Sequence, residues 1–255
     1  MNESRNAFND FWDAAWNSRP TPRQWCGKLS PEEGYAVQLD VGDRYADHGV
    51  RRFGWKVGAP SKAVQKQLGL TEPVYGTVFE KNVHWANAVL AIDTLIGPHI
   101  ECELAFRLNS KIQTAKNLDD VASAVGFVYP AFEYIEKRVP MSDLGVAIAD
   151  NSEHTGIVLG RPIRPEVDFD YSRVVCKQFF NGIERASATG AVIMEGNPLG
   201  SILWMKKILE KHGRQLGDGD LVMTGSFIRQ TPIAPGDVVR AEFSGVGSVQ
   251  VTIAR

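Results

Sequence analysis

The stretch His99 to Leu108, HIECELAFRL, sets two carboxylates two positions apart. Side chains alternate along an extended strand, so Glu101, Glu103, Ala105 and Arg107 share one face and Ile100, Cys102, Leu104, Phe106 and Leu108 the other. Same-face neighbours stand roughly 6.5 to 7 Å apart, which lets both carboxylates lean onto one hard divalent cation. The same alternation also describes a half-buried strand with its polar face in water. A third carboxylate sharpens the question. In AFEYIEKR, Glu133 shares a strand face with Ala131 and Ile135. A carboxylate there needs a partner, because an unpaired buried charge is costly. One partner is a cation held by Glu101, Glu103 and Glu133 together, an all-oxygen set suited to Mg2+ or Mn2+. The other is Arg107 or Arg138 in a structural ion pair.

GWKVG, residues 54 to 58, puts Lys56 between bulky neighbours with glycine at both ends. Glycine permits close approach of backbone or ligand, and a lysine so placed can orient a carboxylate or exchange a proton. A surface lysine that lays its stem along apolar neighbours is the plainer alternative.

Several elements must position these groups. Phe8, Phe11, Trp12, Ala15 and Trp16 form an apolar helical stripe that ends before Pro20 and Pro22, a docking helix. Ser30-Pro31-Glu32-Glu33 opens a second helix with a capping box, with Tyr35, Leu39, Gly42 and Ala46 on one side and a stop at Gly49. From Arg52 the chain turns to short β-like runs: FGWKVG, a small helix from Ser61 to about Leu68, then YGTVF. After the glutamate strand, a short helix is predicted over Leu118–Phe127, halted before Pro130, and a strand over Ala131–Val139. Asn197-Pro198 opens a helix carrying Leu199, Ile202, Leu203, Met205 and Leu209 and closed by Gly213. LVMTGSF, DVVRAEF and SVQVTIA follow as strands. Helices early, strands late and no regular βα alternation predict an α+β architecture with a largely antiparallel or mixed β core. A weak boundary near residue 50 divides an N-terminal helical segment, 1–50, from the domain that carries these groups, 51–255.

The totals exclude several classes. With 255 residues, 44% apolar and 23% charged, the chain suits one large domain and is too apolar for disorder. No window reaches the roughly 18 consecutive apolar residues of a membrane span. The N-terminal MNESRNAFNDFWDAAW does not read as a secretory signal, and a cytoplasmic protein is expected. A net charge of −2 with both signs dispersed offers no basic field for nucleic acid. Cys26, Cys102 and Cys176 are too few and too scattered for a disulfide framework or a cysteine zinc site.

GWKVG, VQKQLGL, EPVYGTVF, PHIECELAFRL, PAFEYIEKR, ADNSEHTGIVLG, GNPL, LVMTGSF and PGDVVRAEFSGVGSV occur in an order and at intervals that resemble the 2-keto-4-pentenoate hydratase and 4-oxalocrotonate decarboxylase group of the fumarylacetoacetate hydrolase superfamily. The similarity runs from about residue 30 to the C-terminus. It implies a mixed β-sandwich or β-roll core with peripheral helices, a homo-oligomer, and a Mg2+-type ion on Glu101, Glu103 and Glu133. It places the motif lysine at Lys56 and substrate contacts at Thr224 and Ser226. It implies a metal-dependent lyase acting on 2-keto-enoates from aromatic catabolism: a hydratase first, then a decarboxylase, then a carbon-carbon hydrolase. A keto-acid-binding or partner subunit is the non-enzymatic alternative.

Two departures stand out. Hydratases of the group carry an Asp in a P-D-F-G turn where this chain has Pro73-Val74-Tyr75-Gly76, closer to the decarboxylase pattern. Glu153-His154 replaces small residues behind Asp150-Asn151. An imidazole flanked by a carboxylate can exchange protons near neutral pH, or else belong to a hydrogen-bonded surface loop.

Overall fold

In the computed structural model, which describes residues 2–138 and 142–255, the chain builds two β-sheets with helices packed around them. Two helices lead, α1 (Asn2–Trp16) and α2 (Pro31–Asp47). Strand β1 (Arg52–Gly58), helix α3 (Lys62–Leu68) and strands β2 (Val74–Phe79), β3 (Val83–Trp85), β4 (Ala88–Ala91) and β5 (Pro98–Leu108) follow. Helix α4 (Leu118–Ala124), strand β6 (Val125–Glu136), helix α5 (Leu144–Ala149) and strand β7 (His154–Leu159) come next. The chain closes with β8 (Val175–Phe180), β9 (Ile183–Thr189), α6 (Leu199–Lys211), β10 (Leu221–Met223), β11 (Ile228–Pro232), β12 (Val238–Phe243) and β13 (Gly247–Ala254).

One sheet runs β2-β1-β10-β5-β6-β7-β3 with β11 also paired to β5, and the other runs β4-β13-β12-β8-β9. Pairing is antiparallel except for β1 with β10, β3 with β7 and β4 with β13, so the mixed α+β expectation holds. The long β5–β6 pair is the spine. Its Ile100, Cys102, Leu104 and Phe106 face is fully buried in the largest apolar cluster, against side chains of the second sheet such as Val239, Ala241 and Val249. That leaves the glutamate face directed the other way.

The stripe on α1 is spent within the chain: Ala7 and Phe11 pack with Val37, Val41 and Tyr45 of α2 and with Val146, Ala147 and Ala149 of α5. The capping box forms, with the Ser30 hydroxyl accepting from Glu33 N–H and the Glu33 carboxylate accepting from Ser30 N–H. The buried face of α2 differs from the expected one. It is Gly34, Val37, Gln38, Val41 and Tyr45 beside Tyr35, while Ala46 is exposed, because α2 is packed by α1 and α5 as well as by the sheet.

The expected helix over Leu118–Phe127 ends at Ala124, and the following strand starts at Val125 instead of Ala131. Val125, Phe127, Val128 and Tyr129 are β-branched or aromatic, and pairing with β5 outweighs the proline signal. Pro130 lies within the strand opposite Leu104, its carbonyl accepting from Gly160 N–H. That strand ends at Glu136; Val139, its expected last residue, is outside the described residues. LVMTGSF contributes only the three residues of β10 before turning at Gly225, whose φ is +102°.

Candidate active site

Strand register brings the acidic groups together. Glu101 on β5 lies directly opposite Glu133 on β6, and Glu103 is the next same-face residue along β5. Like charges placed directly across a strand pair repel, so this arrangement calls for a cation between them. One oxygen from each of the three carboxylates falls within 4.8 Å of the others. Neither expected arginine neutralises them. Arg107 donates to the Gly219 carbonyl, and Arg138 is engaged with Glu136 and Asp150.

Lys56 arrives by a short route. It is opposite Met223 of β10, which is opposite Ala105 of β5, so its side chain joins the face that carries Glu101 and Glu103. It is buried, against the expectation for a surface lysine. Its Nζ donates to the Ser152 carbonyl at 2.7 Å and lies 3.4 Å from Glu133 Oε1.

A strained turn supplies that carbonyl. Asn151, Ser152 and Glu153 all adopt positive φ, between +53° and +64°, a region costly for residues other than glycine. Side-chain bonds hold the turn. Asn151 Oδ1 accepts from Thr77 N–H, its Nδ2 donates to the Thr77 carbonyl, and the Ser152 hydroxyl donates to the Tyr75 carbonyl. Gly76 makes room, since a Cβ there would lie 2.9 Å from the Asn151 carbonyl oxygen and 3.0 Å from Lys56 Cε. In the sequence only the Glu153-His154 half of this turn is conspicuous. Ser152 acts through its backbone, which leaves no signature in residue type.

The same turn separates Glu153 from His154. Glu153 lines a cavity of about 770 Å³ together with Lys56, Glu101 and Ser226, and its carboxylate accepts from Lys137 Nζ at 2.7 Å. His154 is absent from that lining. Its Nδ1 lies 2.7 Å from Glu133 Oε1, and its ring borders a second cavity of about 660 Å³. Thr224 is not in the first lining either; its hydroxyl donates to the Leu104 carbonyl and helps seat β10 on β5. Next to it, Gly225 N–H donates to Glu103 Oε2 at 2.9 Å.

The electrostatics follow from burial and from these contacts. Burial pushes the Glu101 carboxyl up to about 8, with Glu133 adding to the push and Lys56 opposing it. Burial, together with the Glu133 and Glu101 charges, drives Glu103 well above the usual carboxylate range. For Glu133 burial also acts upward, but Lys56 and His154 outweigh it and bring the group down to about 2. Burial holds His154 below the ordinary imidazole value despite its bond to Glu133. A neutral ring facing an ionised carboxylate must donate from Nδ1, which leaves the buried Nε2 with a lone pair that no donor among the described residues meets.

The donor set fits a divalent metal. All three ligand candidates are carboxylates, the set preferred by hard cations. Glu103 Oε1 is buried and meets no N–H donor among the described residues; its proton, turned toward Glu133, fills the place a cation would take.

Residues 57–254 match the Fumarylacetoacetate (FAA) hydrolase C-terminal family. The TodF product hydratase of Pseudomonas putida strain F1 is 33% identical over 236 residues, covering 91% of this chain and 88% of that protein. A 2-keto-4-pentenoate hydratase of Paraburkholderia xenovorans strain LB400 is 30% identical over 254 residues, covering 97% and 94%. Among solved structures, 4-oxalocrotonate decarboxylase from Pseudomonas putida G7, complexed with magnesium and adipate, superposes with a TM-score of 0.90 at 25% identity, covering 98% of this chain and 97% of that one.

Proposed function

Because this chain belongs to the fumarylacetoacetate hydrolase family, we propose that it is a metal-dependent hydro-lyase for 2-hydroxydienoates such as 2-hydroxypenta-2,4-dienoate. The observation that carries this reading is the facing pair Glu101 and Glu133, with Glu103 beside them and Lys56 against them, of which Glu101 and Lys56 line a cavity sized for a small acid. The hydratase relatives at 33% and 30% identity support it.

Glu101, Glu103 and Glu133 would hold the ion, with Mg2+ favoured by the all-oxygen set and by the magnesium complex of the related decarboxylase. When bound, it would supply Lewis-acid stabilisation of the charge that grows on the 2-oxygen of a chelating 2-oxo acid. Lys56 reaches the cavity with one N–H donated to the Ser152 carbonyl and its charge 3.4 Å from Glu133, leaving N–H capacity to hold or protonate substrate. The dienol takes a proton at its terminal carbon as the 2-hydroxyl becomes a ketone. Water then adds to the conjugated double bond, giving a 4-hydroxy-2-oxo acid. Glu153 is the carboxylate in the lining placed to take the proton of that water, and Lys137 orients it. His154 positions Glu133 from behind, as second partners of metal ligands do.

A second reading, decarboxylation of a 4-oxalocrotonate-type acid, is favoured by Val74. It lines the cavity from the Pro73–Gly76 turn and contributes an apolar wall with no carboxylate. The free cysteines Cys26, Cys102 and Cys176 suit a reducing compartment such as the cytoplasm. The exposed Trp85 and Val89 offer apolar surface for assembly of copies. The test is product formation from 2-hydroxypenta-2,4-dienoate and from 4-oxalocrotonate with Mg2+ present. Water addition to the first supports the hydratase, CO2 release from the second supports the decarboxylase, and turnover of neither overturns the lyase assignment.

A further inference from the structure

Two residues past the end of β6, Arg138 lies between the two cavities and borders both. Its side chain is 14% exposed, and the three nitrogens of its guanidinium reach five acceptors. Nε donates to Asp150 Oδ2 at 2.6 Å, Nη1 to the Glu136 carboxylate and to Thr155 Oγ1, and Nη2 to the backbone carbonyls of Asp150 and His154, each at 3.2 Å. The two carboxylates are themselves fixed from outside. Asp150 Oδ1 accepts from the Thr21 hydroxyl at 2.8 Å, and Glu136 Oε1 accepts from Ile96 N–H at 2.9 Å.

The two carbonyls held by Nη2 bracket the turn in which Asn151, Ser152 and Glu153 take positive φ. Such a run persists only where its surroundings over-determine it. The Asn151 and Ser152 side chains tie the turn to β2, and Arg138 joins its two ends to β6. Three parts of the site depend on this turn. The Ser152 carbonyl accepts from Lys56 Nζ, Glu153 lines the cavity that holds Lys56, and His154 braces Glu133. A turn that relaxed would displace all three together.

We infer that Arg138 is a positioning residue for the reaction: its guanidinium clamps both ends of the 151–153 turn and thereby sets Lys56, Glu153 and Glu133 at once. It acts through the turn and not on substrate, since its nitrogens are engaged with protein acceptors. This deepens the reading above and rests on the roles given there to those three groups. The competing account is a plain buried ion pair, an arginine that neutralises Glu136 and Asp150 for stability alone. Lysine separates the two accounts, because it keeps the charge but lacks the planar fork that spans both carbonyls.

Arg138→Lys is compared with the wild type on 2-hydroxypenta-2,4-dienoate at saturating Mg2+. The expected result is a fall of about 30-fold or more in kcat with KM changed less than about threefold, because the chelating end of the substrate is still held while Lys56 and Glu153 are displaced. Mg2+ affinity without substrate, read calorimetrically, should fall about tenfold through Glu133. In a histidine-labelled NMR spectrum the Nδ1 proton of His154 should shift or broaden as its bond to Glu133 loosens. Ile112→Ala, a truncation in the largest apolar cluster, lowers stability away from the turn and should keep kcat within about twofold of the wild type. An equal loss of kcat in Ile112→Ala overturns the proposal. So do a kcat and a Mg2+ affinity within about twofold of the wild type in Arg138→Lys, whatever its melting temperature. Where Arg138→Lys does not fold, Asp150→Asn decides: it keeps the shape of the network, weakens the bond from Nε, and should lose several-fold in kcat, while full activity overturns the clamp. Where the wild type turns over no dienoate, the hydratase reading fails by itself, and the Mg2+ affinity and His154 resonance of Arg138→Lys still decide the clamp.

Discussion

His154 Nδ1 and Glu133 Oε1 lie 2.7 Å apart, both side chains buried, and the imidazole meets the proposed metal triad from outside the lining of the cavity that holds Lys56 and Glu101. Lys56 and this contact together keep Glu133 ionised despite its burial, and the contact fixes one oxygen of that proposed ligand. His154→Ala is therefore expected to weaken Mg2+ binding roughly 10- to 100-fold, with kcat restored in part at saturating metal. Calorimetric titration of the metal-free variant checks this. Unchanged affinity would remove His154 from the site.

Metal uptake should depend on pH, with a sign set by the raised carboxyls. In the metal-free fold Glu101 titrates at about 8 and Glu103 above its usual range, so the folded chain holds protons there that the unfolded chain sheds above about 4.5. Their contribution to stability is complete below about 4.5 and is lost as pH rises toward 8. Glu133, whose value is lowered, works the opposite way and only below about 4.5. The melting temperature of the metal-free protein should thus fall between pH 5 and pH 8 on the order of a few degrees, and the rise produced by a fixed Mg2+ concentration should be larger at pH 8 than at pH 6. Equal rises at both pH values would contradict the assignment of these carboxyls as ligands.

The turn behind Lys56 gives a steric test. A Cβ at Gly76 would meet the Asn151 carbonyl oxygen and Lys56 Cε at about van der Waals overlap, 2.9 and 3.0 Å. Gly76→Ala should cost about 1–3 kcal/mol of stability and at least tenfold in kcat, because Lys56 and its Ser152 anchor must move together. Gly42→Ala is the control: on helix α2 the added methyl meets only Phe79 Cζ at 3.9 Å, and up to about 1 kcal/mol of stabilisation is expected. Chemical denaturation and steady-state rates separate the two.

Much of this site was legible in the sequence because strand alternation is a two-residue code. It places Glu101 and Glu103 together on β5, and the Ala131-Phe132-Glu133 pattern puts Glu133 on a buried face. Lys56 stood out through its glycine frame. The Glu101–Glu133 register could not be read, since it depends on where β6 begins, and the proline signal masked the six residues before Ala131. The roles of Glu153 and His154 diverge for a reason invisible in residue types: three successive positive φ values turn adjacent side chains to different cavities. Strands β3, β4, β7, β8, β9 and β11 are not legible in the sequence because they are short or partly polar, and pairing within the two sheets decides them.

Glu103 carries the sharpest conflict between stability and function in this chain. Its Oε2 accepts from Gly225 N–H, while Oε1 is buried and meets no N–H donor among the described residues. Without metal the carboxyl holds its proton, and a glutamine has nearly the shape of that protonated acid. Glu103→Gln can keep the bond from Gly225 N–H through its oxygen and turn its NH2 toward the ionised Glu133. The metal-free variant should then melt at or slightly above the wild type, since a carboxyl that resists ionisation has been replaced by a neutral amide. Bound to a hard cation, the amide supplies a neutral oxygen at best and loses one of three negative charges, so the Mg2+-dependent rise in melting temperature should shrink to a small fraction of the wild-type value and turnover should fall at least 100-fold. Paired melts with and without Mg2+ separate the two effects. A variant that loses stability without metal yet keeps the full metal-dependent rise would mean that Glu103 serves the fold through Gly225 and is no ligand at all.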